Sequence, residues 1–96
     1  MAGLRKIVVN SVSGLSRDIA PLVRNWIEEG VKFVGVAGKD AADLEELIDW
    51  ECIGDGESSY FMLTAAFDPS ESVADAVEFS EGLSPDHGDF TDVVEF

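Results

Sequence analysis

The sequence has no lysine or arginine after Lys39. All six basic residues lie within the first 39 positions, whereas 17 of the 20 carboxylates follow, because only Asp18, Glu28 and Glu29 come earlier. An ordinary solvated surface mixes both signs of charge, so this division needs an explanation of its own. With a net charge of −14 the chain repels nucleic-acid phosphates and anionic membranes, and the partner it favours is a basic protein surface.

Cysteine, histidine and long apolar runs are also scarce. The single cysteine, Cys52, cannot form an internal disulfide, so nothing in the sequence requires an oxidising compartment. The lone histidine, His87, argues against a zinc site. No apolar run approaches the ~20 residues that span a bilayer, and the first residues lack the length and cleavage site of a signal peptide. We therefore expect a cytoplasmic protein without a membrane segment, metal or cofactor.

Strand-like and helix-like segments alternate along the chain. Hydrophobic residues make up 46% of the 96 residues, which suits one packed core and exceeds what a disordered acidic tail contains. The patterns predict helices that begin near Asp18, Asp40 and Asp68, between strands over 7–12, 31–37, 60–67 and 90–96. This βαβαβαβ order predicts a single three-layer α/β domain over 1–96 with a four-stranded, mostly parallel sheet.

The third strand is apolar on both faces, so we expect it near the centre of the sheet, in the strand order 2-1-3-4. Because parallel crossovers are right-handed, this order places helix one on one face and helices two and three together on the other. Both of these helices are rich in carboxylates, and like charges at helical spacing do not stabilise a helix. The sequence therefore predicts a two-helix acidic face for partner binding, made of Glu45, Glu46, Asp49, Glu71, Asp75 and Glu78.

The two tryptophans have different surroundings. Trp26 falls on the apolar stripe of helix one and is expected in the core. Trp50 ends helix two after Leu47 and Ile48, and two interpretations stay open. It packs beneath the following loop, or it is a partly exposed anchor within the carboxylate rim, which is the composition of binding hot spots. We include Trp50 among the predicted partner-binding residues.

The carboxyl ends of the strands are the second candidate region, because open parallel sheets bind ligands there. Asn10, Ser11 and Ser13 lie at the carboxyl end of the first strand, whereas Asp40 follows the second strand and Asp68 the third. These groups suit a phosphate or Mg²⁺. The glycine patterns of nucleotide-binding loops are missing, however, and both aspartates also suit helix N-caps. The expectation of no metal therefore stands beside this weaker alternative.

From Trp26 onward the chain resembles an uncharacterised family of small bacterial α/β proteins, a domain of unknown function. The matching residues lie within 26–80 and are Trp26, Gly30, Gly38, Asp40, Asp49-Trp50, Phe61-Met62, Thr64, Asp68, Glu71 and Val77-Glu78-Phe79. Ala66-Phe67 stands where the family has an aromatic residue and a histidine, so no role of that histidine is carried over. The resemblance implies a bacterial or phage α/β domain and no particular chemistry.

No catalytic constellation is evident in the sequence. Cys52 follows an acidic helix, and neighbouring carboxylates raise the pKa of a thiol. Ser11, Ser13 and Ser16 have no nearby histidine or lysine in the sequence to activate them. We lean towards a protein that is not an enzyme, although the sequence does not decide this.

Two functions remain as hypotheses. The first is a non-catalytic acidic domain that binds a basic protein, as immunity proteins and DNA-mimic inhibitors do. The alternative is a small α/β domain with a ligand or magnesium site at the strand ends, whose acidity is a solubility trait, for instance in a salt-adapted host. Homodimerisation through the face of helix one or the edge of the second strand is a further hypothesis.

Overall fold

The computed structural model describes residues 5–54, 60–67, 71–83, 88 and 90–96. The predicted alternation of strands and helices is confirmed. The elements are β1 (Arg5–Ser11), a 3₁₀ turn (Gly14–Ser16), α1 (Ala20–Glu29), β2 (Phe33–Gly38), α2 (Ala41–Ile53), β3 (Leu63–Ala66), α3 (Val73–Glu81) and β4 (Phe90–Glu95). Within this part of the chain, no helix is both long enough and apolar enough to cross a bilayer.

The four strands form one parallel sheet in the order β3-β2-β1-β4, so the predicted order 2-1-3-4 is wrong. Val9 of β1 pairs with Val36 of β2 on one side and with Val94 of β4 on the other. The apolar run over 60–67 misled the prediction, because only four of its residues pair as a strand. Phe61 lies before that strand with 77% of its surface exposed, and the central positions go to β1 and β2.

The helices divide two to one across the sheet, which makes three layers. α1 and α2 pack side by side on one face. The core between them and the sheet contains Ile7, Val9, Val23, Trp26, Val34, Val36, Leu44 and Ile48. α3 packs alone on the opposite face, where Ala76 meets Val8 and Ala37. The prediction that helices two and three share a face is therefore wrong.

Aromatic packing and capping fix the position of α3. The Phe79 ring lies against Phe33 and Phe67, with ring centroids 6.0 and 5.6 Å apart. The helix begins at Val73, not near Asp68 as predicted, because Ser72 and Asp75 form a reciprocal capping box that satisfies two backbone N–H groups. Asp68 itself lies outside the described residues.

The end of β2 lies so close to β1 that only a glycine fits at position 38. Its φ is +96°, and a Cβ there would lie 2.5 Å from the Ser11 carbonyl oxygen. That carbonyl accepts a hydrogen bond of 2.9 Å from the Lys39 N–H, so it cannot move aside without breaking the bond. Gly38 therefore sets how closely the loop that precedes α2 approaches β1.

We predict that Gly38→Ala lowers the free energy of unfolding by about 1–3 kcal/mol, because it combines backbone strain with a steric clash. Gly82→Ala is the matched control, since Gly82 has φ −77° and its Cβ would make ordinary contacts of 3.5 Å. That control should change stability by less than about 1 kcal/mol. Urea unfolding followed by circular dichroism measures both. Equal effects would contradict the close approach at Gly38.

Candidate functional site

An apolar groove runs along the outer side of α2. Asp43, Glu46, Leu47 and Trp50 line it at helical spacing i, i+3, i+4 and i+7, and Leu15 from the 3₁₀ turn forms the opposite wall. The groove encloses about 380 Å³. Leu15, Leu47 and Trp50 are 50%, 43% and 62% exposed, so three large apolar side chains meet at the surface beside two carboxylates.

Trp50 has 62% of its surface exposed, which is what the interpretation as a surface anchor requires. The other interpretation concerns the following loop, whose residues 55–59 lie outside the described part of the chain. Trp26 on α1 is only 2% exposed and lies in the core, as predicted. The role of Trp50 in binding stays a prediction, although its exposure is what that role requires.

The Asp40 carboxylate holds Leu15 beside α2. Its Oδ2 accepts a hydrogen bond of 3.0 Å from the Leu15 N–H, 25 residues earlier in the chain. Asp40 stands at the N-cap position but makes no side-chain bond to its own helix, so the predicted capping role of its carboxylate is wrong. Its backbone is left-handed at φ 56°, which is unusual for a residue with a side chain.

Glycine at position 14 makes this contact between the loops sterically feasible. Gly14 has φ +59°, and a Cβ there would fall on the Asp40 carboxylate. The Gly14 N–H donates to Ser11 Oγ over 3.1 Å, which ties the loop back to the end of β1. Ser11 is buried, so its hydroxyl has a structural partner and does not face a ligand.

The remaining predicted residues of α2 point away from the groove. Glu45 and Asp49 face β3, where the Thr64 hydroxyl lies 2.8 Å from Asp49 Oδ1 and 3.2 Å from Glu45 Oε1. One hydroxyl proton serves only one of the two carboxylates at a time. Burial raises the pKa of the Glu45 carboxyl above its ordinary value, and the nearby Asp49 charge raises it further. Of the predicted set on α2, only Glu46 and Trp50 therefore line the groove.

Two of the three predicted carboxylates near α3 lie across the sheet from α2. Asp75 is engaged in the capping box of its helix and Glu78 is exposed, whereas Glu71 precedes the helix and lines the same cavity as Asp43 of α2. Because α2 and α3 cover opposite faces, a single two-helix acidic face does not form. The correction follows directly from the strand order, since it moves α3 to the other side of the sheet.

A second cavity of about 580 Å³ opens at the carboxyl ends of β2 and β3. The helices that follow these two strands leave towards opposite faces, which creates a crevice of the kind where open α/β sheets bind ligands. Its lining comprises Gly38, Asp40, Ala41, Ala42, Asp43, Ala66, Phe67 and Glu71. Of the predicted ligand-binding residues, Asp40 reaches the crevice.

The other predicted ligand-binding residues lie at the end of β1, in the loop that follows it, or outside the described residues. Asn10 and Ser13 use their carbonyl groups in backbone and turn contacts, with the Phe96 N–H at 2.9 Å and Ser16 Oγ at 2.6 Å respectively. Asp68 lies outside the described residues. Among the residues that the structure describes, no group of three or more His, Cys, Asp or Glu side chains is placed to hold a metal ion.

Five of the six cations are engaged within the fold. Arg5 binds Glu29 at 2.6 Å and Asp92 at 2.7 Å, which raises the Arg5 pKa and lowers that of Glu29. Arg24 contacts Glu51 at 3.5 Å, and Lys6 is buried with Nζ 3.3 Å from the Leu83 carbonyl oxygen. The cations of Arg17 and Lys32 lie over the rings of Phe96 and Tyr60, at 4.7 and 4.6 Å.

These internal contacts leave most carboxylates uncompensated, because few cations remain to neutralise them. On the α2 side, Arg24 pairs with Glu51, whereas Asp43 and Glu46 are exposed. Sequence reasoning identified the charge excess but missed Asp43, Leu47 and Leu15 as members of the groove. The helical spacing in the sequence places four residues on one side of α2, namely Asp43, Glu46, Leu47 and Trp50. Leu15 joins them through tertiary contacts, which the sequence alone does not reveal.

The chain is thus an α/β domain with a parallel sheet, a groove on α2 and a crevice at the strand ends. Comparisons with known protein families, with curated proteins and with solved structures found no match. The resemblance to small bacterial α/β proteins over 26–80 therefore stays a prediction.

We predict that Glu45→Gln raises the melting temperature at pH 7. The folded state disfavours the ionised form of Glu45, so ionisation of this carboxyl lowers the free energy of unfolding. The loss begins as the pH rises through the ordinary carboxyl pKa of the unfolded state and is complete above the raised pKa of the folded state. The gain should therefore shrink towards about pH 4, where the carboxyl is mostly protonated in both states.

Glu46→Gln is the matched control for this experiment, because it removes the same charge from an exposed position on the same helix. Thermal unfolding of both variants between pH 4 and pH 7 gives the comparison. An equal gain from Glu46→Gln would show that general charge repulsion acts, and not the surroundings of Glu45.

Proposed function

We propose that this chain is a non-catalytic acidic domain that binds a basic protein surface through the outer side of α2. The observation that carries the proposal is the groove, in which exposed Leu15, Leu47 and Trp50 adjoin the Asp43 and Glu46 carboxylates. Apolar surface that is contiguous and bordered by polar groups is typical of interaction sites. Tryptophan is among the residue types that dominate binding energy in such patches.

The electrostatics support the same partner. A net charge of −14 attracts basic surfaces over several ångströms beyond contact and speeds their association. Four of the six cations are engaged with Glu29, Asp92, Glu51 and two aromatic rings. The Asp75 and Glu78 carboxylates contribute to the long-range field, but they lie across the sheet from a partner bound at α2.

The proposal therefore changes the predicted site. It keeps Glu46 and Trp50, and it adds Asp43, Leu47 and Leu15 because these residues line the same groove. Glu45 and Asp49 contribute charge from the side that faces Thr64. The predicted contributions of Asp75 and Glu78 to direct contact are withdrawn because α3 lies on the opposite face. Glu71 precedes α3 and lines the crevice beside Asp43, so it lies outside the groove lining.

We predict that a double reversal on α2, Asp43→Lys with Glu46→Lys, weakens binding to basic proteins far more than Asp75→Lys with Glu78→Lys. Both variants have the same net charge, so only the location of the change differs. Binding to a panel of immobilised basic proteins is measured by surface plasmon resonance. Association of the parent chain should slow between about 0.1 and about 1 M salt, over which the Debye length falls from ~10 to ~3 Å.

Equal losses from the two double variants would contradict the proposal, because the acidity would then act as a property of the whole surface. Melting temperatures of both variants provide a check on folding. Asp75 belongs to the α3 capping box, so its reversal is the change more apt to destabilise the fold. Destabilisation is therefore expected mainly in the control variant. A loss of binding that is larger in the α2 variant would then not be explained by unfolding.

The crevice supports a second candidate function, a small-ligand or magnesium site at the ends of β2 and β3. Its specific support is the divergence of α2 and α3 at this point, where the cavity of about 580 Å³ opens. Asp40, Asp43 and Glu71 line this cavity but are not placed as a group to hold a metal ion, so a small ligand is the better supported occupant. Amide resonances over 38–43 test this candidate in a titration with millimolar Mg²⁺. Resonances that stay fixed would remove the magnesium site and leave the protein-binding proposal untouched.

A further inference from the structure

We propose that the occupant of the α2 groove is a positively charged amphipathic helix whose apolar side chains enter between Leu15, Leu47 and Trp50. This inference rests on the proposed function and names the shape and chemistry of the partner. Its basis is the geometry of the groove, the charge at its border and the state of the backbone that forms its wall.

The groove has the dimensions of a helix-docking site. The stripe from Asp43 to Trp50 spans seven steps along α2, or about 10 Å at 1.5 Å per residue. That length corresponds to two turns of a partner helix, which would contact it through side chains at i, i+3, i+4 and i+7. Leu15 supplies a second wall, so the surface is a groove that admits a row of side chains between two elements.

The backbone of α2 favours a helix over an extended peptide as the occupant. A bound strand gains affinity by pairing with unsatisfied backbone groups at a sheet edge. The wall that α2 contributes to the groove presents side chains only. The backbone N–H and C=O groups of this helix are already bonded to one another within α2. A helix satisfies its own backbone groups, so it can be buried here without leaving any of them unpaired.

Charge complementarity selects the sign of the partner. The exposed Asp43 and Glu46 lie on the groove itself, so Lys or Arg residues flanking the apolar stripe of the partner would meet them. A second copy of this chain is disfavoured as the occupant, because it would bring another −14 charge to the same surface. An acidic amphipathic helix is disfavoured for the same reason.

The groove wall is fixed before a partner arrives. The Leu15 N–H is bonded to the Asp40 carboxylate, and Gly14 lies directly against that carboxylate. A preformed site loses less conformational entropy on binding than a loop that has to order itself. The same contact thus provides a way to weaken the groove without changing any residue that would touch the partner.

The first test uses synthetic peptides as probes. One peptide carries leucines at helical spacing among lysines, a second has the same composition with the leucines scattered, and a third replaces the lysines with glutamates. Binding is followed by Trp50 fluorescence, because Trp26 is 2% exposed and should not respond to a surface ligand. We expect the amphipathic lysine peptide to shift the emission to the blue and to bind ~10-fold or more tightly than the scattered one.

The second test uses variants with a labelled peptide and fluorescence anisotropy. Trp50→Ala should weaken binding of the amphipathic lysine peptide ~10-fold or more, as expected for an aromatic anchor. Phe61→Ala is the matched control, since Phe61 is 77% exposed and lies outside the groove lining, and it should have no effect. Asp40→Ala should also weaken binding, because it removes the acceptor of the Leu15 N–H, whereas Asp40→Asn removes the same charge but keeps an acceptor oxygen and should weaken binding less.

The outcomes separate this inference from the proposed function. If both lysine peptides bind equally and Trp50→Ala has no effect, the helix-docking inference is wrong while binding of basic partners survives. If neither lysine peptide nor any basic protein binds, both proposals fail. Sedimentation that detects a dimer dissociated by Trp50→Ala would assign the groove to a second copy and overturn the inference.

Discussion

The handedness of parallel crossovers connects the order of the strands to the distribution of charge. β3 lies at one edge of the sheet and β4 at the other, so α3 has to cross the whole sheet and contacts β2, β1 and β4 on the way. The steps from β1 to β2 and from β2 to β3 run in the opposite direction, which places α1 and α2 together on the other face. The basic part of the chain therefore lies beside α2, and only α3 is alone.

Local patterns determined what sequence reasoning could predict. The element order, the glycine end of α1 at Gly30 and the buried Trp26 all follow from spacing and turn chemistry within about ten residues. The strand order depends on which apolar segment occupies the centre, and residues 60–67 resemble β1 and β2 in hydrophobicity. Residues 60–67 nevertheless form a shorter strand, because Tyr60 and Met62 pack against the core before the strand begins. The Tyr60 hydroxyl donates a hydrogen bond of 2.6 Å to the Val31 carbonyl oxygen.

The candidate site was less predictable for the same reason. The carboxylates and Trp50 are visible in the sequence, but their neighbours depend on contacts between distant segments. Leu15 reaches the groove only because Asp40, an expected N-cap, turns its carboxylate towards the Leu15 N–H. Glu45 and Asp49 lie outside the groove because the helical period turns them towards β3, where they meet the Thr64 hydroxyl. A change in strand order thus moves whole helices, whereas helical spacing and contacts between loops decide which side chains the groove contains.

Features that cost folding free energy collect on and around α2. Asp40 adopts a left-handed backbone, the Glu45 carboxyl has a raised pKa, and Trp50 exposes more than half of its surface. Strain, perturbed carboxylates and exposed aromatic surface are each more frequent at functional sites than elsewhere. Their coincidence on α2 and at its first flanking residue supports the proposal that this helix takes part in an interaction outside the fold.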